Sequence, residues 1–531
     1  MNINGIELDP AANPGVLDTF TWDMSAAAGH ARRLEAFLTE CALAVGTAHC
    51  AGCLRGALVD TEAVPESVVL RDGAGYFLIN LPDRQKLLAA VSPKGVSVPG
   101  EPIASFAGGK AALLPVDTKT VRWFVTDVAP RFSPRAFGTR PRLGIGGRQT
   151  VVVWPGIIKG LDLIGGPAET IQNSAYRELA PMEMILAPPA EEVAYLPGHG
   201  SVNIGHTGSS IEGFWLAGVV SHIENGCTEP YGADLDHVPV KAADEAGLAK
   251  ARHLIDCGRH FSFFTLDASA LFDFSTEDLS RRYDAAVEAA VSIYDYIRSV
   301  KSGEAFDFEF SLDEGPGITQ PEELRYVLER LTNRGVTVNF VAPNVGFEKR
   351  LDYRLPDGLP ALEARVREMS RIAEEYGALL DFHSGSDKSS QTYRTISRAC
   401  AGKLKLKVSG RLQIILAEVL AEMDPDFFDE WWDYTLVSAK AEADAGSAVA
   451  ADYVKLVENR RLAEGPSFRR RPDDRFFTDF CFGMVGAKDA TGAFLHRHRF
   501  YSLSSDVQAE YTRRVSEYVV RLAEDLGLRR K

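Results

Sequence analysis

Cysteine is scarce, with seven in 531 residues. That is too few for a disulfide-stapled secreted scaffold. Cys50 and Cys53 form a single CxxC preceded by His49. A structural zinc site takes about four ligands. No second cysteine pair follows, so these residues read as free thiols near a helix end. No run approaches the roughly 18 apolar residues needed to cross a bilayer. The opening segment, Met1 to Gly15, has neither a basic stretch nor an apolar one, so it reads as mature sequence rather than a secretory signal. Positive charge is in deficit: 58 Lys plus Arg face 73 Asp plus Glu, a net of −15. This argues against nucleic acid and against an anionic membrane surface as partners. A reducing cytoplasm fits all of these absences. Catalytic signatures are missing too. There is no GxSxG, HExxH or GxxxxGK[ST], and no GxGxxG opens a helix after a strand. Gly144-Ile145-Gly146-Gly147 is glycine-rich but lacks the rest of a dinucleotide fingerprint, so no nicotinamide is expected.

The composition that remains is ordinary for a globular chain, 45% hydrophobic and 25% charged. Three sections are expected. Residues 1–138 read as a small α+β section, with a helix over Ala26–Val45 and strands near Val68–Leu70, Tyr76–Asn80 and Val121–Thr126. Residues 139–423 alternate short apolar strands with helices, the mark of βα units around a parallel sheet. Strands are expected near Leu143–Ile145, Met182–Leu186, Pro230–Ala233, Phe261–Leu266, Phe306–Leu312, Val336–Val341, Leu379–Phe382 and Lys405–Val408. Eight strands suggest an α/β fold with a TIM-like (β/α)8 barrel. Residues 424–531 read as a helical extension packing on the barrel. Its helices are expected at Phe427–Tyr434, Ala443–Asn459 and Ser505–Leu526. Arg469 to Arg471 read as a solvated loop.

In a parallel barrel, the residues at the C-terminal strand ends share one mouth, and catalysis sits there. Leu379–Phe382 runs into His383-Ser384-Gly385-Ser386-Asp387-Lys388, a dense group of polar side chains directly after a buried strand. In Phe306–Leu312, alternation puts Asp307, Glu309, Ser311 and Asp313 on one face. The outer face of a barrel strand must be apolar, so the carboxylates must point inward. Buried carboxylates are costly unless paired or bound to a cation. Metal binding, proton transfer and a salt-bridged interior all fit that row. Asp234, Asp236 and His237 offer mixed oxygen and nitrogen ligands. Asp267 ends its strand as a base or substrate contact. Lys407 could stabilise an oxyanion or pair with a carboxylate. His199 and His206 could approach the mouth from a Gly-rich loop. His222 reads as a structural helix residue, and His496 and His498 as surface residues.

These segments resemble the tagaturonate epimerase family. HSGSDK at His383–Lys388, FDFEFSLDE at Phe306–Glu314, YGADLDHV at Tyr231–Val238 and the FTLD ending at Asp267 match in order and spacing, over about Arg140 to Phe428. The resemblance implies a TIM-like barrel and a divalent-metal isomerase interconverting D-tagaturonate and D-fructuronate, or a related ketose or keto-hexuronate. Zn, Mn, Ni and Co remain equal candidates. Among the matched positions, ligand chemistry points to a metal held by His237, Glu309 or Glu314, and His383. Arg148, Asp234, Asp236, Ser384 and Ser386 would contact substrate, and Asp267, Asp387, Lys388 and Lys407 would carry the catalysis. A homo-oligomer is compatible with it. Three positions depart from the family pattern: Gly147 replaces an acidic residue, Ile157 replaces a histidine, and Asp479-Phe480-Cys481-Phe482-Gly483 replaces an HVTYG-like stretch.

The two sugars differ at a carbon β to the ketone, whose C–H the ketone does not acidify. Retro-aldol cleavage and re-formation of the carbon–carbon bond is the expected route, with the enediolate stabilised by a Lewis acid. Two alternatives stand beside the epimerase. One is a metal-dependent aldolase or isomerase on a related sugar. The other is an inactive carbohydrate-binding relative.

Overall fold

The computed structural model describes most of residues 34–148, residues 151–189, the strand Val193–Leu196 and residues 200–529. Before residue 34 only Asn2–Ile3, Ile6–Glu7 and Gly29 are described. The chain divides into two compact units: Met1–Ser133 with Glu212–Thr228, and Pro134–Ile211 with Glu229–Lys531.

The first unit is built on an antiparallel sheet ordered Val69–Arg71, Ala74–Asn80, Lys86–Val91, Ala111–Pro115 and Ala104–Phe106. The helix Glu35–Thr47 packs Leu38, Cys41 and Val45 into a core with Phe77, Ile79, Leu87 and Leu113. The first part of the expected helix Ala26–Val45 lies largely outside the described residues, as do His49, Cys50 and the side chain of Cys53. One expectation fails here. Val121–Thr126 is not a strand but lies in the helix Thr118–Trp123 and the wider turn Phe124–Val128. Its β-branched and aromatic residues favour a strand. However, Asp117 caps the helix by accepting the Thr120 N–H at 2.7 Å, and Val121, Phe124 and Val125 are buried on the helix.

The second unit contains a closed barrel of eight parallel strands. They are β1 (Arg142–Gly146), β2 (Ala168–Ser174), β3 (Tyr231–Pro239), β4 (Phe263–Asp267), β5 (Asp307–Leu312), β6 (Phe340–Pro343), β7 (Leu379–Phe382) and β8 (Leu404–Val408). β8 pairs with β1 and β2 with β3, which closes the cylinder. Seven strands fall near their expected places. The second does not: Met182–Leu186 is a short helix, and the strand is Ala168–Ser174. That strand, AETIQNS, carries Glu169, Gln172 and Ser174 in buried positions, so its polarity hid it from a hydropathy reading.

Glycines on β1 leave room inside the barrel. A Cβ on Gly144 would lie 2.2 Å from Gln172 Oε1 and 3.1 Å from the Lys407 stem. The glycine-rich stretch is therefore a packing device. The final helix, Ser505–Asp525, lies on the helix Trp154–Ile164. A Cβ at Gly156 or Gly160 would approach the Cβ of Val515 or Val519 to 2.6 or 2.7 Å, so only glycine permits this closeness. The two helices expected at Phe427–Tyr434 and Ala443–Asn459 are Pro425–Asp444 and Ala448–Glu464. They part at Gly446, where φ is +103°, and Ser447 caps the second. The loop arginines are engaged: Arg470 pairs with Asp433 and Asp429, and Arg471 with Glu464.

Candidate active site

The barrel interior is charged along its length. At the start of β1 and β5, Arg142 bridges Glu169 at 2.7 Å and Asp307 at 2.6 Å. Its guanidinium lies 4.7 Å from the centre of the Phe340 ring. Burial pushes the Glu169 carboxyl up to about 7, against the pull of Arg142. Further along, the Lys405 ammonium meets Asp234 at 2.8 Å, Asp381 at 3.1 Å and Glu309 at 3.3 Å. Burial, then the neighbouring Glu309, raises Asp381 to about 7. Nearer the rim, Lys407 reaches Asp236 at 2.7 Å, Thr265 Oγ1 at 2.8 Å and Glu309 at 3.0 Å.

Two imidazoles crown this stack. β3 ends in a bulge between Leu235 and Val238, and His237 there has φ +46°, a conformation that costs an L residue energy. His383 follows β7 directly. The rings stand 4.8 Å apart at 64°. His383 Nε2 lies 2.6 Å from Glu309 and Nδ1 lies 3.0 Å from Asp313. Burial alone would depress this imidazole, but Asp313 and Glu309 outweigh burial and hold it well above its ordinary value. His237 Nδ1 faces Asp267 at 3.6 Å and makes no hydrogen bond.

Asp236, His237 and His383 bring one donor atom each within 4.8 Å of one another, and Glu309, Asp381 and His383 form a second such group. Two imidazoles and a carboxylate suit a first-row divalent ion. The carboxylates behind the rings, Asp313 and Asp267, are the outer partners that such ligands need for orientation. The residues present therefore fit a metal.

A cavity of about 110 Å³ opens above them, lined by Asp236, His237, His383 and Lys407 together with Arg148, Glu314, Ser384 and Ser386. A second hollow of about 370 Å³ adjoins it, sharing Asp313, Glu314, Lys349, His383 and Ser384.

His237, Glu309 and His383 thus come together, with Glu309 beneath the cavity rather than lining it. Glu314 lines the cavity but joins neither donor group among the described residues. Asp236, expected on substrate, stands instead among the donors. Asp234, also expected on substrate, is wholly buried against Lys405 and Thr265 and does not reach the cavity. Asp387 does not reach it either, lying 3.9 Å from Arg411. Lys388 is occupied in bracing its own loop. Its ammonium donates to the carbonyls of Glu348 and Ser384 at 2.8 Å and Ser386 at 3.2 Å. His206 is buried and lines the cavity, while His199 lies outside the described residues. His222 is a buried helix residue whose Nδ1 meets the Gly218 carbonyl at 2.7 Å.

Lys405 and Asp381 escaped the sequence reading. The signal was available: LKLKV alternates as FDFEFSL does, and Asp381 lies two residues before His383, on the same face. Lys349, Arg350 and Arg177 line the cavity from loops and carry no such signal.

A sequence-family model described as tagaturonate epimerase matches residues 257–526, just over half of the chain. The chain belongs to the tagaturonate epimerase family. A tagaturonate/fructuronate epimerase of Thermotoga maritima is 30% identical over 162 residues, which are 30% of this chain and 33% of that protein. The match therefore spans about a third of the curated relative. The native crystal structure of a fructuronate-tagaturonate epimerase from Cohnella laeviribosi superposes with a TM-score of 0.64 at 20% identity, covering 89% of this chain and 98% of that one. A glycerol-complexed structure of the same protein also has a TM-score of 0.64. That likeness establishes the α/β barrel fold with its C-terminal helices. Of the positions departing from the family pattern, Ile157 is a buried apolar helix residue and Asp479 pairs with Arg475 at 3.2 Å. Phe482 lines the cavity.

Proposed function

We propose that this tagaturonate epimerase family member interconverts tagaturonate and fructuronate with a divalent ion held by Asp236, His237 and His383. The observation that carries this reading is the donor group within 4.8 Å at the barrel mouth, each imidazole backed by a carboxylate. A divalent ion held there would supply Lewis-acid chemistry to the substrate carbonyl. The chain's own groups do the rest. Glu314 lines both hollows and makes no ion pair among the described residues, so its carboxylate is free to take the hydroxyl proton from the carbon to be inverted. The carbon–carbon bond to the enediolate half then breaks and leaves an aldehyde, which turns and is attacked on its other face. Glu314 returns the proton to the new hydroxyl. Lys407 balances the Asp236 and Glu309 charges beneath the reacting atoms. Ser384 and Ser386 offer hydroxyls to the sugar.

The test is NMR of each sugar acid incubated with protein that has been chelated and then refilled with Zn, Mn, Ni or Co. Interconversion should return with at least one ion. His383→Ala should lose bound metal and reduce turnover by at least a thousandfold. Full turnover in the chelated protein would remove the metal assignment. Absence of conversion with every ion would remove the activity.

A further inference from the structure

One part of the cavity wall presents guanidinium nitrogens that have no hydrogen-bond partner. Arg350 lies 4.7 Å from the centre of the Phe482 ring. Its two terminal guanidinium nitrogens are buried and make no hydrogen bond, and the groups that interact with it, the Cys481 thiol and the Asp479 carboxylate, leave both nitrogens unpartnered. Arg148 stacks on the same ring at 4.6 Å. One edge of Arg148 holds Glu178 at 2.7 Å, but its Nη1 is buried without a partner. The backbone of Arg350 has φ +59°, a strained conformation for a non-glycine residue.

Gly410 is the third component. A Cβ there would stand 3.0 Å from Arg350 Nε and 3.1 Å from Nη2, so the glycine lets the guanidinium lie against the backbone. Gly410 also opens the helix Gly410–Met423, whose preceding residue, Ser409, gives no side-chain cap. The free N–H groups at such an end carry partial positive charge and repel a guanidinium laid against them. A negative group placed between them turns that repulsion into attraction.

We propose that Arg350, Arg148 and the Gly410 helix end form the seat for the anionic end of the substrate, with Phe482 as the platform that holds both guanidinium planes. The proposal rests on the epimerase reading for the rest of the sugar. It deepens that reading by naming the group that sets specificity: a carboxylate, or a phosphate of similar size, at the end of a ketose. Phe482 lies in the segment that departs from the family pattern, whereas Arg148 lies in the part that matches it.

The experiment is calorimetric titration with D-tagaturonate, a ketohexose 6-phosphate and neutral D-tagatose. At least one anion should bind tenfold or more tightly than the neutral sugar. Arg350→Gln should erase that advantage. Gly410→Ala, which pushes the guanidinium away without removing it, should reduce it at least fivefold, and Arg350→Lys should restore part of it. Preference for the carboxylate supports a sugar acid. Preference for the phosphate supports the same seat but counts against the uronate reading. Equal binding of the neutral sugar, or unchanged anion affinity in Gly410→Ala, overturns the proposal. Should Arg350→Gln fail to fold, Gly410→Ala decides. Intact anion binding without sugar interconversion counts against the epimerase reading alone.

Discussion

Phe77, Ile79, Leu87 and Leu113 fill the core of the N-terminal sheet with hydrocarbon, whereas Arg142, Lys405, Lys407 and their carboxylates fill much of the barrel. The two interiors fail in different ways. A hydrocarbon core responds to lost volume, and the cost rises with the cavity left behind. An ionic interior responds to lost partners, because each remaining charge keeps its desolvation cost without compensation. The barrel accepts that vulnerability because its upper charges position the imidazoles at the rim.

The largest effect should come from Lys405→Met. It removes the nearer ammonium from Asp234 and Asp381 and leaves these two and Glu309 to Lys407 alone among the lysines, and the expected loss is about 5 kcal/mol or failure to fold. Chemical denaturation reads it, and a loss below about 2 kcal/mol would mean that the network is not coupled. Phe77→Ala comes next, with an expected loss of about 3 to 4 kcal/mol in the N-terminal unit. That loss should not change with pH between 5 and 8, since no charge is involved; a strong pH dependence would break the comparison. Glu169→Gln is the smallest and has the opposite sign. Folding raises this carboxyl from 4.5 to about 7, so the folded state holds the proton more tightly than the unfolded chain. The contribution of this group to wild-type stability therefore falls as pH rises from 4.5 to 7, while the amide variant escapes the penalty. The variant should match wild type at pH 4 and exceed it by on the order of 3 kcal/mol at pH 8. Arg142 keeps Asp307 as partner in either case. Equal stability at pH 8 would show that Glu169 is ionised at no cost.

The same contrast governs what could be read in the sequence. β5 and β7 were legible because their outward residues, Phe308, Phe310 and Leu380, alternate with polar ones or precede a polar loop. β2 was not, because Glu169 and Gln172 break the hydropathy that marks a buried strand. The helix over Val121 was misread for the opposite reason: its residues favour a strand, and only the Asp117 cap and tertiary burial decide otherwise. At the site, His237, Glu309 and His383 followed from strand-end logic. Asp387 and Lys388 did not reach the cavity because their loop turns through left-handed backbone at Ser384 and Asp387 and folds its lysine onto its own carbonyls. Turns of that kind depend on φ values that composition does not announce. Arg350 depends on Gly410, about sixty residues further along, and only the folded chain brings them into contact.

The glycine pair at 156 and 160 sets a timetable for synthesis. The valines that cover it, Val515 and Val519, are synthesised about 360 residues later. At about 5 to 20 residues per second, the helix that follows the first strand waits on the order of tens of seconds for its cover. Throughout that interval the face of the helix at Gly156 and Gly160 lacks the valines that close over it. A nascent chain stalled before residue 505 should therefore be a client for chaperones rather than a working cylinder.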